Sequence, residues 1–176
     1  MGAGKSSVGR LLKKQYGLPF LDTDAVIMAK TGLAPSVIFE KFGETYFRDL
    51  ESSVLKEDLP EPPYVLSTGG GMVLSAENRQ KLRQTGCVFW LKVSAETVRR
   101  RLRKDTSRPL LKGSSVDMDN LMAFRDPIYA KTSHFSVQSG GHLKEVAEVI
   151  GSCWEKLESV PAVSNCVLRY ASLQHR

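Results

Sequence analysis

Cysteine is scarce in this 176-residue chain, and the placement of its three cysteines excludes two classes of site. Cys87, Cys153 and Cys166 are odd in number, far apart and never spaced as C-x-x-C, so the sequence predicts neither a disulfide framework nor a zinc site. The chain also lacks an apolar run long enough to span a bilayer and an N-terminal secretory signal. We therefore expect a soluble protein of a reducing compartment, with no membrane partner.

Positive charge is in excess but is not concentrated in one place. The net charge is +6, yet no basic stripe interleaved with aromatic residues occurs. This distribution does not favour a nucleic-acid partner, whereas small anionic substrates account for the excess charge. A hydrophobic content of 41% is enough for the core of one domain.

Short apolar runs alternate with longer amphipathic segments along most of the chain. Strand followed by helix, repeated, predicts an α/β fold in which a parallel sheet lies between two layers of helices. We expect this domain to span residues 1–158, and residues 159–176 to form a weakly ordered extension. The predicted strands are Leu18–Leu21, Tyr64–Ser67, Cys87–Val93 and His134–Gln138, and the predicted helices are Ser6–Tyr16, Ala25–Thr31, Pro35–Lys41, Thr45–Leu59, Ala76–Gln84, Ala95–Lys104, Met118–Ala130 and Leu143–Glu158.

The first seven residues carry a pattern typical of phosphate binding. Met1-Gly2-Ala3-Gly4-Lys5-Ser6-Ser7 is the distal half of G-x-x-x-x-G-K-[ST], in which backbone N–H groups and a helix N-terminus bind polyphosphate. Lys5 would reach the β- and γ-phosphates, and Ser6 would offer its hydroxyl to Mg²⁺. The alternative is a glycine-rich tail that contains G-K-S by chance.

An acidic pair, Asp22 and Asp24, follows the first predicted strand. The C-terminal edge of an open α/β sheet is where ligands bind, so one carboxylate could order Mg²⁺ and the other could accept a proton from a substrate hydroxyl. The alternative is that both aspartates only cap the helix predicted from Ala25.

Arg48 and Glu51 stand three residues apart on a predicted helix, which puts them on one face. The same helix offers Phe42, Tyr46 and Leu50 as an apolar stripe. An arginine that faces a pocket would bind a carboxylate through two hydrogen bonds. An ordinary surface ion pair is the alternative, and it would contribute little free energy.

Three further features fit a ligand site. Gly69-Gly70-Gly71 ends a predicted strand, and such a run suggests close approach of the backbone to a ligand. Arg99–Lys104 leads into a Pro/Gly/Ser loop that carries Arg108, which has the composition either of a mobile lid or of a solvated connector. Arg125 lies on a later predicted helix, where it faces either a ligand or only the solvent.

The order of these motifs resembles the shikimate kinase family, which belongs to the P-loop kinases of nucleoside-monophosphate-kinase type. The resemblance runs from Met1 to about Val149. It implies MgATP-dependent phosphorylation of the shikimate 3-hydroxyl in aromatic amino-acid biosynthesis, by a monomer in the cytoplasm, or in the plastid of a plant. The motifs that carry it are M-G-A-G-K-S-S-V-G, L-D-T-D, I-F-E-K-F-G-E-T-Y-F-R-D-L-E, L-S-T-G-G-G, R-P-L-L and R-D-P-I-Y.

The resemblance also implies a role for each matching residue. Catalysis falls to Lys5, Asp24 and Arg108, with Asp24 as the base and Arg108 on a lid at about 104–117. Helices at about 24–59 bind shikimate. The implied substrate-binding residues are Asp24, Arg48, Gly69, Gly70, Gly71 and Arg125, with Glu51 ordering Arg48; the nucleotide-binding residues are Gly2, Ala3, Gly4, Lys5, Ser6, Ser7, Arg101 and Arg108; the Mg²⁺ ligands are Ser6 and Asp22.

Two departures from the family pattern accompany the resemblance. Gln138-Ser139-Gly140-Gly141-His142 replaces a basic, proline-containing stretch that lines the adenine site. In addition, the family has a five-stranded sheet ordered 2-3-1-4-5, and its central first strand would precede Met1. We expect its absence to leave two pairs of strands with unpaired inner edges and to weaken activity.

Two other functions stay open on the sequence alone. One is phosphorylation of another small molecule, as in a gluconate-type kinase of the same fold. The other is a non-catalytic binding or regulatory domain.

Overall fold

The structure is a computed structural model that describes residues 2–102 and 115–158. Residues 104–114 of the predicted lid, which include Arg108, and the predicted C-terminal extension therefore lie outside the described residues. None of the helices in the described ranges is long and apolar enough to cross a membrane. The elements are α1 (Lys5–Tyr16), β1 (Phe20–Asp22), α2 (Thr23–Thr31), α3 (Pro35–Glu57), β2 (Val65–Ser67), a 3₁₀ turn (Met72–Leu74), α4 (Ala76–Thr85), β3 (Phe89–Lys92), α5 (Ala95–Leu102), α6 (Ser115–Thr132), β4 (Phe135–Gln138) and α7 (Leu143–Glu158).

The four predicted strands are confirmed, and the predicted helices are present with small shifts of their ends. Gly17 ends α1 in the left-handed conformation, with φ 69°, and the Ser75 side chain caps α4 by accepting from the Asn78 N–H. The two helices predicted on either side of Gly43 form one element, α3, which is interrupted where Gly43 takes φ 82° and ψ 172°. The break divides α3 into two helical segments, one on each side of Gly43.

The strands form two separate parallel pairs, β1 with β2 and β3 with β4. This arrangement confirms the expectation of two pairs, which correspond to strands 2-3 and 4-5 of the expected order. A cavity of about 340 Å³ lies between the pairs and is lined by residues of β2 and β3, among them Leu66 and Leu91. The sheet is therefore divided through its middle across the part of the chain that the structure describes.

Among the described residues, three apolar clusters rather than one continuous core hold the helices, and members of the first and third line this cavity. The first joins α1, β3 and α7 through residues such as Val8 and Ile150, and the second joins α2 to α3 through Ile27 and Ile38. The third packs the 3₁₀ turn, α4 and α6 around Met72. These clusters fix the helices that carry the functional residues, because buried apolar contacts hold each helix against a strand pair or a neighbouring helix.

Both β1 and β2 end at the same edge of the molecule because they are parallel and in register. Asp22 stands opposite Ser67 in that register. The residues that follow each strand, Asp24 on α2 and the glycine loop (Gly69–Gly71), therefore meet at this edge, where the ligands of open α/β sheets bind.

Candidate active site

The phosphate loop (Gly2–Ser7) has the backbone form of an anion site. Gly2 and Gly4 both have positive φ, 62° and 87°, and Gly4 caps α1 without any side-chain hydrogen bond. A Cβ at Gly4 would also lie only 2.6 Å from Cδ2 of Leu143. The first turn of α1 carries no acidic residue. Amides at such a helix N-terminus point outward and attract phosphate.

Two contacts of the phosphate loop come from residues that follow β3 and β4 in the chain. Ser139 donates from its hydroxyl to the Ala3 carbonyl oxygen at 2.6 Å, and Ser139 is fully buried. Arg101 donates to the carbonyl oxygens of Gly2 at 3.1 Å and Gly141 at 3.3 Å. The Gln138–His142 stretch therefore supports the loop through Ser139 and Gly141, a contact that sequence reasoning missed because residues 3 and 139 lie 136 positions apart.

Asp22 has two functions in the structure, and they use different oxygen atoms. Its Oδ1 accepts the N–H groups of Asp24 and Ala25 at 3.1 and 3.4 Å, so Asp22 is the cap of α2. Its Oδ2 accepts the Ser6 hydroxyl at 2.5 Å. The capping interpretation is therefore correct for Asp22 but incomplete, because the same carboxylate links the helix to the phosphate loop.

The pairing of Ser6 with Asp22 fits a magnesium site of the kind found in phosphoryl-transfer enzymes. Both offer hard oxygen atoms, which Mg²⁺ prefers, and Mg²⁺ at such sites uses one or two protein ligands together with phosphate oxygens and water. The described residues contain no group of three or more His, Cys, Asp or Glu side chains that would form a full protein cage. This donor set suits a metal that arrives with a nucleotide.

Arg48 and Glu51 are not a surface pair. Arg48 Nη1 lies 2.6 Å from Glu51 Oε2, the Glu51 side chain is 1% exposed, and Glu44 accepts from Arg48 Nη2 at 2.7 Å. Burial alone lowers the pKa of Arg48, but the hydrogen bonds and charges of Glu51 and Glu44 outweigh it and raise that pKa. The guanidinium therefore stays charged.

The predicted apolar stripe on α3 is present but lies mostly outside the core. The Phe42 and Tyr46 rings pack against each other, with centroids 5.2 Å apart, and both are exposed, whereas Leu50 is half-buried and packs against the second apolar cluster. The face that packs into the protein carries Phe47 and Glu51. Sequence periodicity finds an apolar face of a helix but does not show which face other elements cover.

Four charged side chains come together as the ionic cluster (Asp24, Arg48, Glu51 and Arg125). Burial raises the pKa of Glu51, the positive charges of Arg48 and Arg125 lower it, and the negative charge of Asp24 raises it. Arg125, like Glu51, is buried. Glu51 Oε1 and Arg125 Nε have no hydrogen-bond partner among the described residues. Buried polar atoms without hydrogen bonds destabilise a fold unless a ligand or a water molecule supplies the missing bonds.

The glycine loop lies against this cluster so closely that side chains do not fit. A Cβ at Gly69 would clash with Glu51 Oε1 and lie 3.1 Å from Asp24 Oδ1, and a Cβ at Gly71 would clash with the Arg48 guanidinium. The Gly69 N–H donates to the hydroxyl of Thr23 at 2.8 Å. That amide is therefore used within the protein, and Thr23, which is fully buried, is a site residue that sequence reasoning missed.

The ionic cluster and the phosphate loop are neighbours. Ser6 Oγ lies 3.4 Å from Ser67 Oγ, and Ser67 stands two residues before Gly69. Asp22, which accepts from Ser6, stands two residues before Asp24. A polyphosphate on the loop would therefore meet a small carboxylate-bearing acceptor on the cluster, which is the geometry of phosphoryl transfer between two small molecules.

Comparisons with known proteins agree with this arrangement. The family model for shikimate kinase matches residues 1–155. The chain is 40% identical over 161 residues to the shikimate kinase of Thermodesulfovibrio yellowstonii, covering 90% of this chain and 93% of that protein. It is 42% identical over 161 residues to the shikimate kinase of Paracidovorax citrulli, covering 89% and 87%.

Solved structures show the same fold. The structure of the shikimate kinase from Acinetobacter baumannii in complex with shikimate matches with a TM-score of 0.85 and 36% identity, covering 91% of each chain. The shikimate kinase from Aquifex aeolicus matches with a TM-score of 0.76 and 36% identity, covering 88% of this chain and 92% of that one. The chain belongs to the shikimate kinase family.

Proposed function

We propose that this protein transfers the γ-phosphoryl group of MgATP to the 3-hydroxyl of shikimate, giving shikimate 3-phosphate and ADP in aromatic amino-acid biosynthesis. Family membership supports the reaction, and the presence of shikimate in the Acinetobacter baumannii structure supports the acceptor. One observation in this chain carries the proposal furthest. The ionic cluster holds two arginines, a buried glutamate and an aspartate at the edge of the phosphate loop.

This cluster matches the chemistry of shikimate, a small carboxylate with three hydroxyl groups. Arg48 and Arg125 supply the positive charge for the carboxylate, and Glu51 fixes the Arg48 guanidinium so that its remaining donors face the ligand. Arg125 Nε, buried and without a partner in the described ranges, is available for the same carboxylate. The glycine loop keeps this space open, because any side chain at Gly69 or Gly71 would fill it.

Asp24 is our candidate for the group that receives the proton of the reacting hydroxyl. Its carboxylate lies beside Gly69 and Glu51, and its backbone N–H donates to Asp22, which accepts the Ser6 hydroxyl of the phosphate loop. An ionised acid within hydrogen-bond reach of the hydroxyl orients it and accepts its proton as the bond to phosphorus forms.

Lys5 and the amides at the start of α1 would bind the β- and γ-phosphates. Ser6 and Asp22 would hold Mg²⁺, which neutralises charge on the phosphates when it is bound. We place Arg101 and Arg108 on the nucleotide side. Arg101 already contacts Gly2 of the phosphate loop, whereas Arg108 lies outside the described residues and its role rests on the family pattern.

A coupled ADP-release assay with shikimate, quinate and gluconate tests the proposal directly. We expect turnover with shikimate, and ADP release with gluconate no faster than with ATP alone. Gluconate has a flexible chain of hydroxyls, so preference for it would identify a different sugar-acid kinase. Absence of shikimate turnover, in a preparation whose melting temperature rises with MgATP, would identify a nucleotide-binding protein without this activity.

A further inference from the structure

Tyr129 belongs to the R-D-P-I-Y motif, yet the function proposed above gives it no role. Its hydroxyl donates to the carbonyl oxygen of Gly70 at 2.6 Å. Its ring packs against Trp90, with the ring centroids 5.9 Å apart. A half-buried tyrosine on α6 therefore contacts the middle residue of the glycine loop, which lies 59 positions earlier in the chain.

Arg125 precedes Tyr129 by one helical turn on α6, so the two side chains lie on one face of that helix. Arg125 is buried in the ionic cluster, and its positive charge acts on the Tyr129 phenol. Burial raises the pKa of Tyr129, and the charge of Arg125 opposes that change only in part. The phenol therefore keeps its proton at neutral pH and donates a hydrogen bond to Gly70 from the helix that carries Arg125.

The glycine loop has a second anchor on its other side. The Thr23 hydroxyl accepts from the Gly69 N–H at 2.8 Å, and Thr23 precedes Asp24 on α2. The loop is therefore connected to α2 through Thr23 and to α6 through Tyr129. A rigid loop matters here, because a glycine run has no side chains of its own to define its conformation.

We propose that Tyr129 is a positioning residue that couples Arg125 to the glycine loop, so that the arginine and the loop bind shikimate as one unit. The inference rests on the proposed function for its substrate. Helix α6 carries both Arg125 and the tyrosine that holds Gly70, one helical turn apart, so it links the arginine to the loop. Removal of the hydroxyl breaks the bond to Gly70 and leaves the ring in place against Trp90.

The kinetic test is Tyr129→Phe, measured in the wild-type protein and together with Arg125→Ala. We expect Tyr129→Phe to raise KM for shikimate about 10-fold and to change KM for ATP less than about twofold. If Tyr129 acts through Arg125, the same change in the Arg125→Ala background has less than about a twofold effect. Independent effects that multiply would overturn the proposal. Tyr46→Phe, which removes a hydroxyl from an exposed tyrosine, is the matched control and should change neither constant.

Hydrogen exchange of the ligand-free protein separates this inference from the proposed function. We expect the amides of residues 67–72 to exchange about 10-fold faster in Tyr129→Phe than in the wild type, with unchanged exchange in α1. Wild-type rates in that segment would overturn the coupling, even in an active enzyme. A wild-type protein that does not phosphorylate shikimate would overturn the function, whereas faster loop exchange would still support the coupling. A general loss of protection across α1 and α7 would show that the hydroxyl only stabilises the fold, which also overturns the proposal.

Discussion

The ionic cluster and the phosphate loop both bind anions in our proposal, but they are built differently. The cluster consists of charged side chains that already contact one another, as Arg48 does with Glu51 and Glu44. The phosphate loop consists of backbone amides at a helix end. The cap residue there, Gly4, has no side chain to bind these amides. Side chains fixed by their neighbours select one shape of acceptor, whereas backbone amides accept any polyphosphate of the right size.

This difference predicts that variants in the ionic cluster change the kinetic constants for the acceptor, shikimate, and leave the binding of ATP unchanged.

The largest effect is expected from Asp24→Asn. The amide keeps the shape of the side chain but cannot take a proton, so kcat should fall about 10²- to 10⁴-fold. MgATP should still raise the melting temperature as it does in the wild type, because the phosphate loop is intact. Asp49→Asn, at an exposed position on α3, is the control. If Asp24→Asn kept the wild-type kcat, Asp24 would not be the base, and it would only be an acidic residue in the first turn of α2.

Arg48→Ala and Arg125→Ala should separate the two sites by their Michaelis constants. Each removes a charge-assisted bond to a carboxylate that ATP lacks, so KM for shikimate should rise about 10- to 100-fold while KM for ATP stays within about twofold. Arg101→Ala should show the opposite pattern, since Arg101 contacts Gly2 and Gly141. Arg10→Ala, at an exposed position on α1, is the control. Equal effects of all three active-site variants on ATP would contradict the separation.

Gly69→Ala should impair the acceptor site by occupying it. The added methyl group would clash with Glu51 Oε1 and approach Asp24, so both carboxylates must move. We expect KM for shikimate to rise about 10-fold and the melting temperature to fall by a few degrees. Gly86→Ala is a matched control, because no atom lies within 4 Å of a Cβ at Gly86 and its φ of 171° is extended. Unchanged kinetics in Gly69→Ala would contradict the prediction, because they would show that the loop moves enough to accommodate the methyl group.

The divided sheet predicts a gain rather than a loss. An apolar strand of about five residues that ends in Gly, followed by two further residues before Gly2, would fill the cavity between β2 and β3 and pair with both inner edges. Each added ladder bond contributes roughly 1 kcal/mol, so the melting temperature should rise by about 5 °C or more. MgATP affinity should rise with it, because the strand also fixes the phosphate loop. An extension of Gly and Ser of equal length is the control, and equal melting temperatures of the two extended chains would contradict the prediction.

The smallest effect concerns pH and the β3–β4 pair. His134 Nδ1 accepts the Val88 N–H at 3.0 Å, and burial together with the charge of Arg83 lowers the His134 pKa below its ordinary 6.5. The unfolded chain therefore binds the proton more readily, so His134 stabilises the fold above about pH 6.5, and this contribution is lost as the pH falls. We expect His134→Asn to reduce the fall in melting temperature between pH 7.5 and 5.5 slightly. His142→Asn is the control, and an identical fall in both variants would exclude His134 as the cause.

Much of the fold follows from local sequence. Gly17 and Ser75 are residue types that favour helix ends, and the structure places both at helix ends. Helix and strand periodicity depend on residues a few positions apart, which the sequence shows directly. The phosphate loop is equally local, since its glycines and α1 are consecutive in the chain.

The rest of the site required contacts between distant residues. The burial of Glu51, the Thr23 bond to Gly69 across 46 positions and the Tyr129 bond to Gly70 across 59 depend on how α2, α3 and α6 pack around the ends of β1 and β2. The sequence by itself determined the elements, the phosphate loop and the order of the charged motifs, because each depends on neighbours along the chain. Only the tertiary structure decided which charges are buried together and which hydroxyls fix the glycine loop, because hydrogen bonds and desolvation depend on distances in space.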